Sequence, residues 1–145
     1  MDFRLAGASI ALFLAAYAQS SPLFFIFGVR LDVALVLAVL MALSFTTVFE
    51  YTVLILVGTL GLAFGVGFPQ ALLFFLAIFI LTRGVQLVMP WQHIFLGSIL
   101  VIFFSLLTYI PHLAPLALRE AFCSVVLFIT IYALTPSHYV RKGGY

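Results

Sequence analysis

Long apolar runs with almost no charge between them are the feature that most limits how this chain can fold. Of its 145 residues, 66% are hydrophobic and only 7% are charged. A soluble domain has roughly 25% charged residues, and a small domain still exposes a large part of its atoms to the solvent. Lipid is therefore the predicted solvent for most of the chain. Continuous apolar runs, unlike the alternating pattern of a membrane β-barrel, favour an all-α, polytopic integral membrane protein.

Prolines, glycines and charged residues divide the chain into six predicted transmembrane helices. We place these spans at about 5–19, 33–48, 52–64, 70–82, 94–110 and 119–134. The third and fourth spans would have only about 13 residues each, which is short for a full crossing. They would then form a buried hairpin or merge into one long element, and Gly65, Gly67 and Pro69 favour a turn between them. No polar linker interrupts the chain, so residues 1–145 are predicted to form a single transmembrane domain.

An apolar segment, residues 23–29, lies between the first and second spans. It follows Pro22 and ends just before Arg30 and Asp32. Two interpretations stay open: a re-entrant or interfacial segment, and an extension of the first helix beyond a kink.

The distribution of lysine and arginine predicts the orientation of the chain, since cytoplasmic loops carry an excess of both. Six spans place both termini on one side of the membrane. That side would hold Arg4, Arg83, Arg141 and Lys142, and the opposite side Arg30 and Arg119. We therefore expect both termini in the cytoplasm.

The sequence contains no recognisable catalytic constellation or cofactor motif. His93, His112 and His138 fall in separate loops or the tail, so they do not have the spacing of a zinc site. Cys123 lies in an apolar run and is expected to be a small buried residue. No basic patch interleaved with aromatic residues indicates nucleic acid. We expect a protein without enzymatic activity, metal or cofactor.

The acidic residues are placed by the sequence near the ends of predicted helices. Asp32 and Glu50 bracket the second span, and Asp32 is expected to cap that helix or to pair with Arg30. Glu120 would open the sixth span, where a carboxylate complements the helix dipole. Because no acid is expected in the middle of a span, the usual residues of a proton relay are missing.

Small residues repeat every four positions on two predicted helices. Gly61 and Gly65 form one pair, and Gly7, Ala11 and Ala15 form a second stripe. Such stripes let two helix backbones approach closely. The pattern fits packing within the bundle and docking of a partner helix alike, so these five residues are candidates for partner contact.

Two stretches near the first helix carry a family resemblance. Residues 19–23, Gln-Ser-Ser-Pro-Leu, and residues 26–33, Ile-Phe-Gly-Val-Arg-Leu-Asp-Val, resemble the rod shape-determining protein MreD family. Leu31 stands where that family usually has a proline. The six-helix layout, the glycine-rich third helix and the basic tail are also similar. The family commonly has an aspartate near the end of the third helix, where this chain has Gly65 or Val66.

The resemblance implies a non-enzymatic scaffold subunit of the bacterial cell-shape and lateral wall elongation machinery in the inner membrane. Its partners would be membrane lipid, a bitopic MreC-like protein, the actin-like MreB and wall-synthesis enzymes. The fold would resemble the substrate-binding subunits of energy-coupling-factor transporters. A vitamin-binding subunit of such a transporter is the alternative, because the spacing of Ala11 and Ala15 resembles the docking motif on the first helix of those subunits. A lipid flippase would need a polar groove that the sequence does not show.

Overall fold

In the computed structural model, the described residues form six α-helices and one short β-hairpin. The structure describes residues 3–19, 25–26, 29–30, 32–88, 93–109 and 114–134. The helices are α1 (Phe3–Gln19), α2 (Val33–Ser44), α3 (Val48–Val66), α4 (Phe68–Val88), α5 (His93–Tyr109) and α6 (Ala114–Leu134). The strands β1 (Phe25–Ile26) and β2 (Val29–Arg30) pair in antiparallel fashion. The predicted helical class is confirmed.

The second helix, α2, is the centre of the bundle. It contacts all five other helices, and nine of its 12 residues are buried. An α-helix that is hydrophobic all round is expected to lie in a protein interior, because it has no polar face to turn outward. The other helices surround α2 and carry the exposed apolar surface.

Three glycines mark the places where neighbouring helices approach most closely. A Cβ atom at Gly61 of α3 would lie 2.8 Å from the Phe13 carbonyl oxygen of α1. A Cβ at Gly58 would lie 2.8 Å from the ring of Phe75 on α4. At Gly97 of α5, a Cβ would overlap the ring of Phe128 on α6. The contacts show that α5 and α6 are antiparallel, since Gly97 is near the start of α5 and its partner is in the second half of α6.

The predicted boundary between the second and third spans is wrong. α2 ends at Ser44, not near residue 48, and α3 begins at Val48. Thr47 and Glu50 form a capping box, in which the Glu50 N–H donates to Thr47 Oγ1 and the Thr47 N–H donates to the Glu50 carboxylate. Glu50 therefore belongs to the start of α3 and does not bracket α2.

The third and fourth helices are longer than predicted. α3 has 19 residues and α4 has 21, so neither is the short segment that the positions of Thr52 and Arg83 suggested. Only Gly67 separates them, with a φ of 90° that glycine adopts without a steric cost. The predicted turn is confirmed, and a single merged helix is excluded.

The sixth helix also begins earlier than predicted, at Ala114 and not at Arg119. Arg119 is exposed on the second turn, and Glu120 beside it is buried. The expectation that Glu120 opens the helix and complements its dipole is therefore wrong. Its carboxyl group lies within the packed body of the bundle.

The apolar segment 23–29 is described only in part. Phe25–Ile26 and Val29–Arg30 pair as strands, whereas residues 20–24, 27–28 and 31 lie outside the described residues. Because α1 ends at Gln19 and the described part is a hairpin, an extension of the first helix through this segment is wrong. Re-entry into the membrane stays a prediction.

Among the described residues, α3 and α4 are long and apolar enough to cross a membrane. α1, α2 and the stretch 94–107 of α5 are apolar but shorter. The 12 residues of α2 rise about 18 Å, which is less than the roughly 30 Å of a bilayer hydrocarbon core. Both ends of this buried helix need hydrogen-bonding partners, because its first N–H and last C=O groups have none within the helix.

Candidate functional site

A buried polar pair joins the end of α1 to the start of α2. Gln19 Nε2 donates a hydrogen bond to Asp32 Oδ1, and the Ala34 N–H donates to Gln19 Oε1 at 3.0 Å. Gln19 and Asp32 are only 8% and 7% exposed. The first N–H groups of a helix have no partner within that helix. Gln19 thus caps α2 from a neighbouring helix.

Asp32 occupies the N-cap position of α2, yet its side chain makes no capping hydrogen bond. The sequence prediction that Asp32 caps this helix is therefore wrong. The side chain of Arg30, the other predicted partner, lies outside the described side chains. Nothing in the sequence spacing identified Gln19 as the partner, because the two residues meet only through the turn between helices.

A second polar cluster lies at the other end of the bundle, around Tyr51 of α3. The Tyr51 hydroxyl is 2.7 Å from the Phe45 carbonyl oxygen and 3.0 Å from that of Ala42, and it donates to these acceptors at the end of α2. The Arg83 guanidinium of α4 also interacts electrostatically with this hydroxyl. Arg83 Nη1 in turn donates to Gln86 Oε1 at 3.0 Å. Three helices are joined here by one phenol group.

The same end of the bundle holds the positive charge of Arg4. Arg4 interacts electrostatically with Glu50, the neighbour of Tyr51 in α3. Arg4 and Arg83 therefore lie at one end of the molecule, as the predicted orientation requires. Arg141 and Lys142, which the prediction places there too, lie outside the described residues.

The stripe Gly7, Ala11 and Ala15 is divided between the surface and the interior. Gly7 is exposed, and a Cβ built there would meet nothing within 4 Å. Ala11 is exposed as well, whereas Ala15 is buried. Ile10 and Leu14, on one side of the exposed part, are 61% and 58% exposed. Only Gly7 and Ala11 are thus open to a partner.

The pair Gly61 and Gly65 is divided in the same way. Gly61 is buried against α1, with Ala16 and the Tyr17 backbone beside it, so a helix of the same chain already occupies this position. Its candidacy for partner contact is therefore wrong. Gly65, one turn later, is exposed.

The candidates for chemistry are not brought together in the described part of the chain. No group of three or more metal-ligating side chains is found there. Cys123 is half-buried, not fully buried as expected. The side chain of His93 and all of His112 and His138 lie outside the described residues.

Buried hydroxyl groups form a polar set that the sequence analysis did not identify. Four hydroxyls nearer the surface donate to the carbonyl four residues earlier: Ser44, Thr52, Ser98 and Thr130. Within the described structure, five buried ones have no hydrogen-bond partner: Ser9, Thr59, Thr82, Ser105 and Ser124. A buried polar group without a partner lowers stability by about 1–3 kcal/mol.

The two polar clusters and the exposed face of α1 are thus the features from which a function can be argued. Arg83 and Gln86, three residues apart on one helix, form a pair that sequence spacing alone indicates. Tyr51 could be added only from the structure. Comparisons of the chain with protein-family models, with curated proteins and with solved structures find no match.

Proposed function

We propose that this chain is a multi-pass subunit of the bacterial inner membrane that acts as a non-enzymatic scaffold. Its role would be in the cell-shape and lateral wall elongation machinery, through helix–helix contact with a bitopic MreC-like partner. The observation that carries the proposal is the outer face of α1, where exposed Gly7 and Ala11 lie beside exposed Ile10 and Leu14. Wall-synthesis enzymes are further expected partners.

The location in the membrane is supported by the surface of the bundle. Large apolar side chains are exposed on all helices except the central α2, and among them are Phe64, Leu73, Phe95 and Phe122 at 60–74% exposure. Soluble monomers rarely expose contiguous apolar patches of more than a few hundred Å². Lipid chains would cover this surface without a penalty, which favours a multi-pass bundle with α2 at its centre.

The orientation is supported by the positive charges at one end. Arg4 and Arg83 lie together, and exposed Arg119 lies on the first half of α6, toward the opposite end. Because lysine and arginine favour the cytoplasmic side, we place both chain termini in the cytoplasm.

The outer face of α1 suits contact with a single transmembrane helix. In a bilayer, two helices associate through close packing, and small residues permit their backbones to approach. Ile10 and Leu14 would pack along one side of the partner. The alternative, a vitamin-binding transporter subunit, relies on Ala11 and Ala15 together, but these residues do not share an exposed face.

The test is co-purification with the MreC-like protein encoded in the same genome. Gly7→Leu and Ala11→Leu should reduce capture of this partner at least tenfold while leaving the amount of folded protein unchanged. Ala133→Leu is the matched control, since Ala133 of α6 is also small and exposed and lies on neither α1 nor α4. Equal capture by all variants would exclude the α1 face. Thermal stabilisation by a vitamin, with no capture of the partner, would support the transporter subunit instead.

A further inference from the structure

Arg83 is a charged residue in an apolar part of the bundle surface. It lies within α4, five residues before the helix ends at Val88, and its side chain is half-buried. Ile80 and Leu87, its neighbours along the helix face, are 65% and 72% exposed. If the bundle lies in a membrane, as proposed above, this guanidinium is close to the boundary between the hydrocarbon and the headgroups.

The partners of Arg83 in the structure are neutral. They are the Tyr51 hydroxyl and Gln86 Oε1, and no carboxylate of a described residue forms an ion pair with Arg83. Glu50, the nearest acid in sequence to Tyr51, accepts hydrogen bonds from the N–H groups of Thr46 and Thr47. Glu50 thus acts near this site only through its charge on the Tyr51 hydroxyl, and no described carboxylate is paired directly with Arg83.

A guanidinium has five N–H donors in a planar arrangement that matches the oxygens of a phosphate group. The hydrogen bond to Gln86 and the interaction with Tyr51 leave several of these donors available. A charge in surroundings of low dielectric constant is costly unless an opposite charge lies near it. An anion that binds here would therefore gain more than one that binds a fully solvated arginine.

The surface beside Arg83 has room for such an anion. Gly84 is exposed, and a Cβ built there would meet nothing within 4 Å. Exposed Ile80 and Leu87 would contact acyl chains, while Tyr51 and Gln86 keep the guanidinium in position. We propose that Arg83 binds the phosphate group of an anionic phospholipid. The proposal rests on the membrane location of the chain and is independent of its scaffold role.

Native mass spectrometry and thermal unfolding of the full chain in mild detergent test the proposal. Phosphatidylglycerol should remain bound to the wild type and raise its melting temperature, and Arg83→Gln should weaken this binding at least tenfold. Arg119→Gln is the matched control, since Arg119 is exposed on α6, and it should bind like the wild type. Arg83→Lys should give intermediate binding, because it keeps the charge without the planar fork.

The other arms distinguish the source of the phosphate. Inorganic phosphate that stabilises the wild type as strongly as phosphatidylglycerol would overturn the lipid assignment, and so would equal binding of zwitterionic phosphatidylcholine. Equal binding of phosphatidylglycerol by the wild type and Arg83→Gln would overturn the site. If Arg83→Gln does not fold, equal binding of phosphatidylglycerol by the wild type and Arg83→Lys would overturn the site instead. Capture of the MreC-like partner is measured separately, and solubility without detergent would refute the membrane location itself.

Discussion

Replacement of Gln19 by leucine tests whether the junction between α1 and α2 holds the central helix in place. Leucine removes the hydrogen bond that the Ala34 N–H donates at 3.0 Å and the one that Gln19 Nε2 donates to Asp32. A neutral hydrogen bond contributes about 0.5–1.5 kcal/mol, and one to a charged group about 1.5–3 kcal/mol. Gln19→Leu should therefore lower the free energy of unfolding by about 2–4 kcal/mol.

Thermal unfolding in detergent, followed by the loss of helical circular dichroism, measures this effect. A change of 1 kcal/mol shifts the midpoint of a chain of this size by about 3 °C, so a decrease of about 6–12 °C is expected. Gln70→Leu is the control, since Gln70 is exposed near the start of α4, and its midpoint should stay close to that of the wild type.

A second substitution tests the cost of burying the Asp32 carboxylate once the Gln19 amide is removed. Asp32→Asn in the Gln19→Leu background should recover part of the lost stability, because a neutral amide costs less to bury than a carboxylate. Wild-type stability of Gln19→Leu would refute the reasoning, and it would mean that α2 does not depend on the Gln19 side chain.

Three further predictions use single substitutions and the same unfolding assay. Gly61→Ala should lower the free energy of unfolding by about 1–3 kcal/mol, because its Cβ would meet a backbone carbonyl of α1 at 2.8 Å. Gly65→Ala, at an exposed position, should raise it by up to about 1 kcal/mol through helix propensity. Equal effects of the two substitutions would contradict the packing of α3 on α1. Thr59→Val should stabilise by about 1 kcal/mol, since its buried hydroxyl has no partner in the described structure; a lower midpoint would show that the hydroxyl is bonded. Thr47→Ala should cost about 1 kcal/mol through loss of the capping box with Glu50, and an unchanged midpoint would mean that the cap contributes nothing.

The sequence was sufficient for the number and order of the helices because each lies on a continuous apolar run. The turn at Gly67 was also predictable, because a stretch rich in glycine and proline interrupts a helix. Gly67 itself has a positive φ. The boundary at residues 44–48 was not predictable in this way. A short polar stretch within an apolar chain can either end one helix or begin the next. Thr47 and Glu50 have the spacing of a capping box, and that signal places the start of α3 correctly.

Charged residues were treated as helix ends, and this accounts for the errors at Arg83 and Arg119. A long arginine side chain can extend along the helix surface to reach polar groups while its backbone stays helical. Arg83 does so by contact with Tyr51 and Gln86. The pairing of Gln19 with Asp32 is different in kind, because it joins two helix ends whose relative position is set by tertiary packing and not by spacing along the chain.

The two polar clusters have a common physical cause in the shortness of α2. This helix is surrounded by apolar side chains, and each of its ends has backbone groups without partners inside the helix. Gln19 supplies an acceptor at the first end, and the Tyr51 hydroxyl supplies a donor at the other. Both side chains come from neighbouring helices because those helices enclose α2. The cluster at Tyr51 also contacts Arg83, so a group that completes the fold lies beside a positive charge at the surface of the bundle.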